Sequence, residues 1–126
     1  MSKFILVVMS AGDCKVCNQL DSFMNSGLKE SISQLNVDVI KIKTKSVEKK
    51  LDLKKFPKDL KKYRAWFPMI VIFKRARWEA CLKGEKKKLK GEIWGGVMGS
   101  KGVEDKKSEY KWSHDGIVSW VRNNTR

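Results

Sequence analysis

Phe4-Ile5-Leu6-Val7-Val8-Met9-Ser10-Ala11-Gly12-Asp13-Cys14-Lys15-Val16-Cys17 holds the change of pattern on which the reading of this chain turns. Its first six residues are apolar without interruption, the signature of a strand covered on both faces. After Gly12-Asp13 the apolar residues Val16, Leu20, Phe23, Met24, Leu28, Ile32 and Leu35 recur every three or four positions. That spacing predicts a helix from about Cys14 toward Leu35, with Gly27 as its weak point. Val37, Val39, Ile40 and Ile42 then nearly alternate with Asp38, Lys41 and Lys43, which predicts a second strand with one wetter face. A strand, helix and strand in this order are almost always parallel and right-handed. Ligand chemistry is then expected at the carboxyl end of the first strand, where both cysteines fall.

Further along, Val47, Leu51, Leu53, Leu60 and Tyr63 are set at helix-like intervals among lysines, and Pro57 divides the stretch into two expected short helices. Phe67-Pro68 introduces Met69-Ile70-Val71-Ile72-Phe73, a third buried strand with proline at its entry, where a missing N–H is tolerated. Gly84-Glu85-Lys86 reads as a hairpin turn and Leu89 to Val97 as the returning strand. Gly91, Gly95, Gly96, Gly99 and Gly102 punctuate the segment that follows and suggest a loop that lacks the spacing of a phosphate-binding glycine motif. Ser113 or Asp115 caps a final helix carrying Ile117, Val118, Trp120 and Val121.

With 126 residues the chain reads as a single domain, 1–126, with enlarged basic segments at 41–64 and 74–90. An apolar content of 41% with two prolines excludes a disordered or fibrous chain, and three cysteines cannot staple a disulfide scaffold. No apolar run approaches the roughly 18 residues of a membrane-spanning helix. The opening apolar run is also shorter than the core of a secretory signal, about 7–15 residues. The expected setting is therefore intracellular, non-secreted and reducing, either cytoplasm or a virion, and cysteines there are more often catalytic or metal-binding than structural.

Cys14-Lys15-Val16-Cys17 sits where a buried strand gives way to a helix, the context that makes a C-x-x-C informative. Free N–H groups and the positive end of the helix dipole stabilise a thiolate on Cys14, while Cys17 lies one turn inside, within disulfide reach. In an oxidoreductase Cys14 attacks and Cys17 resolves. A second chemistry, zinc held by Cys14, Cys17, Cys81 and His114, has the residue types of a Cys₃His site without local spacing for the second pair.

From Phe4-Ile-Leu-Val-Val through the cysteine pair, Phe67-Pro68-Met-Ile-Val-Ile-Phe73 and the final helix, the sequence resembles the thioredoxin and glutaredoxin superfamily. The resemblance implies an α/β, thioredoxin-like fold: βαβαββα, a mixed four-stranded sheet flanked by helices. It also implies a cis-proline at Pro68 facing the cysteines, with Phe67 and Trp66 touching the bound substrate. Protein disulfides would be the substrates. No metal or organic cofactor is implied, and glutathione or a reductase would restore the dithiol. The chain departs from the family in having Asp13 before the pair, Lys15-Val16 within it, and Val8 about where thioredoxins bury an acid.

Charge supplies a competing reading. Twenty-eight basic against 14 acidic residues give +14, and most of the excess lies in the middle: +8 over 41–64 and +6 over 74–90, against −1 over 1–40. Lys49, Lys50, Lys54, Lys55, Lys58, Lys61, Lys62 and Arg64 are the expected contacts to nucleic acid or an acidic protein, reached through phosphate or carboxylate charge without base reading. Under this reading the chain is a non-catalytic binding or structural protein, such as a virion component. Exposed aromatics are compatible with a dimer, and the oligomeric state is left open.

Overall fold

The computed structural model describes residues 2–64, 67–94 and 110–126. Strand β1, Phe4–Ala11, lies inside the sheet. It pairs in parallel with β2, Val37–Thr44, with Phe4 opposite Val37 and Ala11 opposite Thr44. On its other side it pairs antiparallel with β3, Met69–Lys74, with Phe4 opposite Lys74. The short β4, Gly91–Ile93, runs antiparallel to β3, and the sheet order is β2-β1-β3-β4. Helices α1 (Lys15–Phe23), α2 (Lys29–Gln34), α3 (Arg75–Leu82) and α4 (His114–Asn124), with a 3₁₀ helix at Lys58–Tyr63, flank it. The architecture is α/β with a mixed four-stranded sheet.

Side chains alternate across a strand, so β1 feeds two cores. Leu6 and Val8, with Ile70 and Ile72 of β3, pack under α1, α2 and α4 through Leu20, Leu28, Ile32, Ile117, Trp120 and Val121. Ile5, Val7 and Met9, with Met69, Val71 and Phe73, pack on the other face against Leu51, Leu60, Tyr63, Trp78 and Leu89. Coverage on both sides is why the run from Phe4 to Met9 has no polar position.

The helix expected from Cys14 to Leu35 is divided. A π-helical turn, Met24–Leu28, separates α1 from α2, and Gly27 adopts φ +110°, a conformation that suits glycine. The pair of helices expected over 46–66 is corrected: among the described residues of that stretch, 46–64, there is one, the 3₁₀ helix after Pro57. Upstream, side chains capture the backbone donors that a helix would need: Glu48 N–H goes to Ser46 Oγ, Lys54 N–H to Asp52 Oδ1, and Val47 N–H to Asp13 Oδ1.

The tight hairpin at Gly84-Glu85-Lys86 is also corrected, and with it the second half of the βαβαββα order. β3 leads directly into α3, and the returning strand is Gly91–Ile93 rather than Leu89 to Val97, of which 95–97 lie outside the described residues. Two anchors hold α3 in place. Arg75 donates its N–H to the Lys3 carbonyl at 2.8 Å and its Nε to the Ser2 carbonyl at 2.6 Å, while Trp78 is buried beside Phe73 with ring centroids 5.4 Å apart. At the chain's far end Ser113 is the cap of α4, its Oγ accepting the Gly116 N–H at 3.0 Å. No helix among the described residues is long and apolar enough to cross a membrane.

Candidate functional site

The carboxyl end of β1 turns at Gly12-Asp13 and enters α1 at Cys14. Gly12 donates its N–H to the Thr44 carbonyl at 2.9 Å, and a Cβ there would stand 2.8 Å from the Lys45 carbonyl oxygen, so glycine lets the turn lie against the end of β2. Asp13 Oδ1 accepts the Val47 N–H at 2.8 Å and ties the following loop to the same turn. Cys14 is the extended N-cap residue of α1, and its Sγ accepts the Cys17 N–H at 3.2 Å, a role that capping oxygens usually fill.

Cys14 and Cys17 are paired as a disulfide, their Cα atoms 5.1 Å apart. The two sulfurs are not equivalent. Cys17 is 0% exposed in the core under α1, whereas Cys14 is partly open to solvent. Solvent therefore has access to Cys14 and not to Cys17. Ser10, the penultimate residue of β1, is buried with an Oγ that has no hydrogen-bond partner among the described residues.

The chain re-enters this region at Phe67-Pro68. The peptide bond between them is cis, Pro68 is buried, and the Phe67 carbonyl oxygen lies 3.8 Å from Cys14 Sγ. Phe67 also borders a cleft of about 470 Å³ whose floor includes Met9 and Leu51 and whose rim carries Lys49, Lys50 and Arg64. Of the residues read from the sequence as the disulfide site, Cys14, Cys17, Phe67 and Pro68 are brought together, and Trp66 lies outside the described residues.

The basic residues expected to form one surface are parted. Lys49, Lys50 and Arg64 face the cleft beside Phe67, while Lys54, Lys55 and Lys58 line a separate groove with Lys83, Lys86 and Lys87. Lys61 is exposed. Lys62 is engaged within the fold: its Nζ lies 2.7 Å from Asp59 Oδ2 and donates to the Leu89 carbonyl, also at 2.7 Å. The hydrogen bonds from Lys62 and the Leu89 N–H hold the Asp59 carboxyl below its ordinary range, and the bond to Asp59 raises the Lys62 ammonium. Lys41 and Lys43 both pair with Asp21 of α1. Burial works to raise the Asp21 carboxyl, but the bonds and charges of the two lysines outweigh it and hold it low.

The residues of the zinc alternative do not converge. His114 opens α4 and contacts Ser31 of α2 at 3.4 Å, whereas Cys81 ends α3 on the opposite face of the sheet. Among the described residues no group of three His, Cys, Asp or Glu is placed to hold a metal ion. Comparison of the chain with models of protein families, with curated proteins and with solved structures finds no match.

Proposed function

We propose that this protein is a thiol–disulfide oxidoreductase on a thioredoxin-like fold, with Cys14 as the attacking and Cys17 as the resolving cysteine. The observation that carries the reading is the unequal pair at the start of α1: one sulfur open and at a helix N-terminus, the other sealed one turn inside. The sheet order and the Phe67 carbonyl beside Cys14 agree with it.

In the reductive direction the Cys14 thiolate attacks a substrate disulfide, forming a mixed disulfide and expelling one substrate thiolate, which takes a proton from solvent. The Cys17 thiol gives up its proton and attacks Cys14 sulfur. The second substrate thiolate leaves and is protonated, so two electrons pass from the protein dithiol to the substrate. One equivalent of an external thiol such as glutathione attacks Cys14 and expels the Cys17 thiolate; a second attacks the sulfur of the bound thiol, expelling the Cys14 thiolate and leaving as the external disulfide, so the dithiol is restored.

The test offers the reduced protein a neutral disulfide, hydroxyethyl disulfide, with an excess of thiol reductant. Wild type is expected to turn over and Cys14→Ser to lose turnover, while pre-reduced Cys17→Ser, offered the disulfide with no added thiol, is expected to accumulate a mixed disulfide that peptide mass spectrometry locates at Cys14. Turnover in Cys14→Ser equal to that of wild type, or none in wild type, overturns the reading.

A further inference from the structure

Two stretches of the chain that are distant in sequence bring their lysines to one groove. Lys54, Lys55 and Lys58, ahead of and at the start of the 3₁₀ helix, face Lys83, Lys86 and Lys87, which follow α3, around a volume of about 590 Å³. All six side chains are exposed, and none forms an ion pair with a described residue. Asp59 is the one carboxylate lining the groove, and it is already occupied by the Lys62 ammonium and the Leu89 N–H, at 2.7 and 2.6 Å. Six lysines thus line one groove, and its lining holds no carboxylate free to balance them; Glu85, in the loop between Lys83 and Lys86, is outside the lining.

We infer that this groove binds the phosphate backbone of nucleic acid without reading its bases. Lysine is depleted in protein–protein interfaces, whereas it serves phosphate as a point charge. The lining holds no Arg, Asn or Gln, the side chains that make bidentate contacts to base edges. Apolar anchors for a protein partner are also scarce: Leu82 is exposed, but the Phe56 ring is half-buried against Trp78, with centroids 6.2 Å apart. The groove borders the core on the face opposite α1, so it does not depend on the cysteine chemistry.

The test is fluorescence anisotropy of a labelled mixed-sequence DNA duplex across a salt series. If six phosphates are neutralised, wild-type affinity should fall about 10³-fold between about 50 and 200 mM salt. Lys54→Gln/Lys58→Gln/Lys83→Gln/Lys87→Gln should lower the log–log salt slope by about 0.9 for each lysine removed and bind at least about tenfold more weakly at 50 mM. A charge-matched control, Lys29→Gln/Lys74→Gln/Lys90→Gln/Lys111→Gln, should stay within about threefold of wild type. Equal losses in both variants assign the binding to net charge and overturn the groove. Competition by poly-glutamate as strong as that by unlabelled DNA, at equal charge, assigns it to acidic peptide and overturns the nucleic-acid inference. A second measurement on the unmutated chain is lysine acetylation with and without duplex: protection confined to the six groove lysines supports the inference, and uniform protection or none overturns it.

Discussion

Ser10 and Asp13 flank the turn that carries Cys14, and their polar groups meet opposite fates. Asp13 stands where its charge would oppose a thiolate, yet its Oδ1 is engaged by the Val47 N–H. Ser10 is buried, and its hydroxyl finds no partner among the described residues. A desolvated polar group without a hydrogen bond costs stability, so Ser10→Ala should stabilise the fold by about 1 kcal/mol. Urea unfolding measures this, and a loss of similar size would show that the hydroxyl is bonded after all. Cys14 and Cys17 were legible in the sequence because strand, turn and helix changeover all fall within a few residues of them. The partner of Asp13 was not, because it lies 34 positions away in a loop whose own pattern mimics a helix.

At the scale of elements, two charged clamps join helices to the sheet. Asp21 of α1 holds Lys41 and Lys43 of β2, and Asp59 of the 3₁₀ helix holds Lys62 and the N–H of Leu89 just ahead of β4. Both carboxyls titrate below the ordinary aspartate range in the folded state. Their contribution is therefore complete above the unfolded value of about 4 and is lost as pH falls from there through the lower folded-state values. Both clamps are partly exposed, so the effect is modest. Unfolding midpoints should decline below about pH 4, and Asp21→Asn/Asp59→Asn should flatten that decline. A pH profile unchanged in the double variant would remove the clamps from the account. The strands were legible because β1 and β3 are covered on both faces. Helix α3 was not: Trp78 is its one buried residue, which leaves no apolar stripe to read, and it follows β3 with no Gly or Pro between them.

For the whole molecule, an excess of basic residues was visible in composition, but its division between a cleft beside Phe67 and a groove on the α3 side needed the tertiary fold. The sequence could state how much charge the middle carries, not which lysines meet. The shared strands have a further effect, on how the protein comes apart. β1 and β3 send alternate residues into both cores, so neither core keeps its floor if the other loses it. Melting should be one all-or-none event with coincident far-ultraviolet and tryptophan-fluorescence transitions. Ile117→Ala, a cavity beneath α4, should speed amide exchange in β3 and in α3 alike. Faster exchange confined to α4 would mean that the two faces of the sheet open independently. The sheet is then a single mechanical partition, and damage on one side of it is read out on the other.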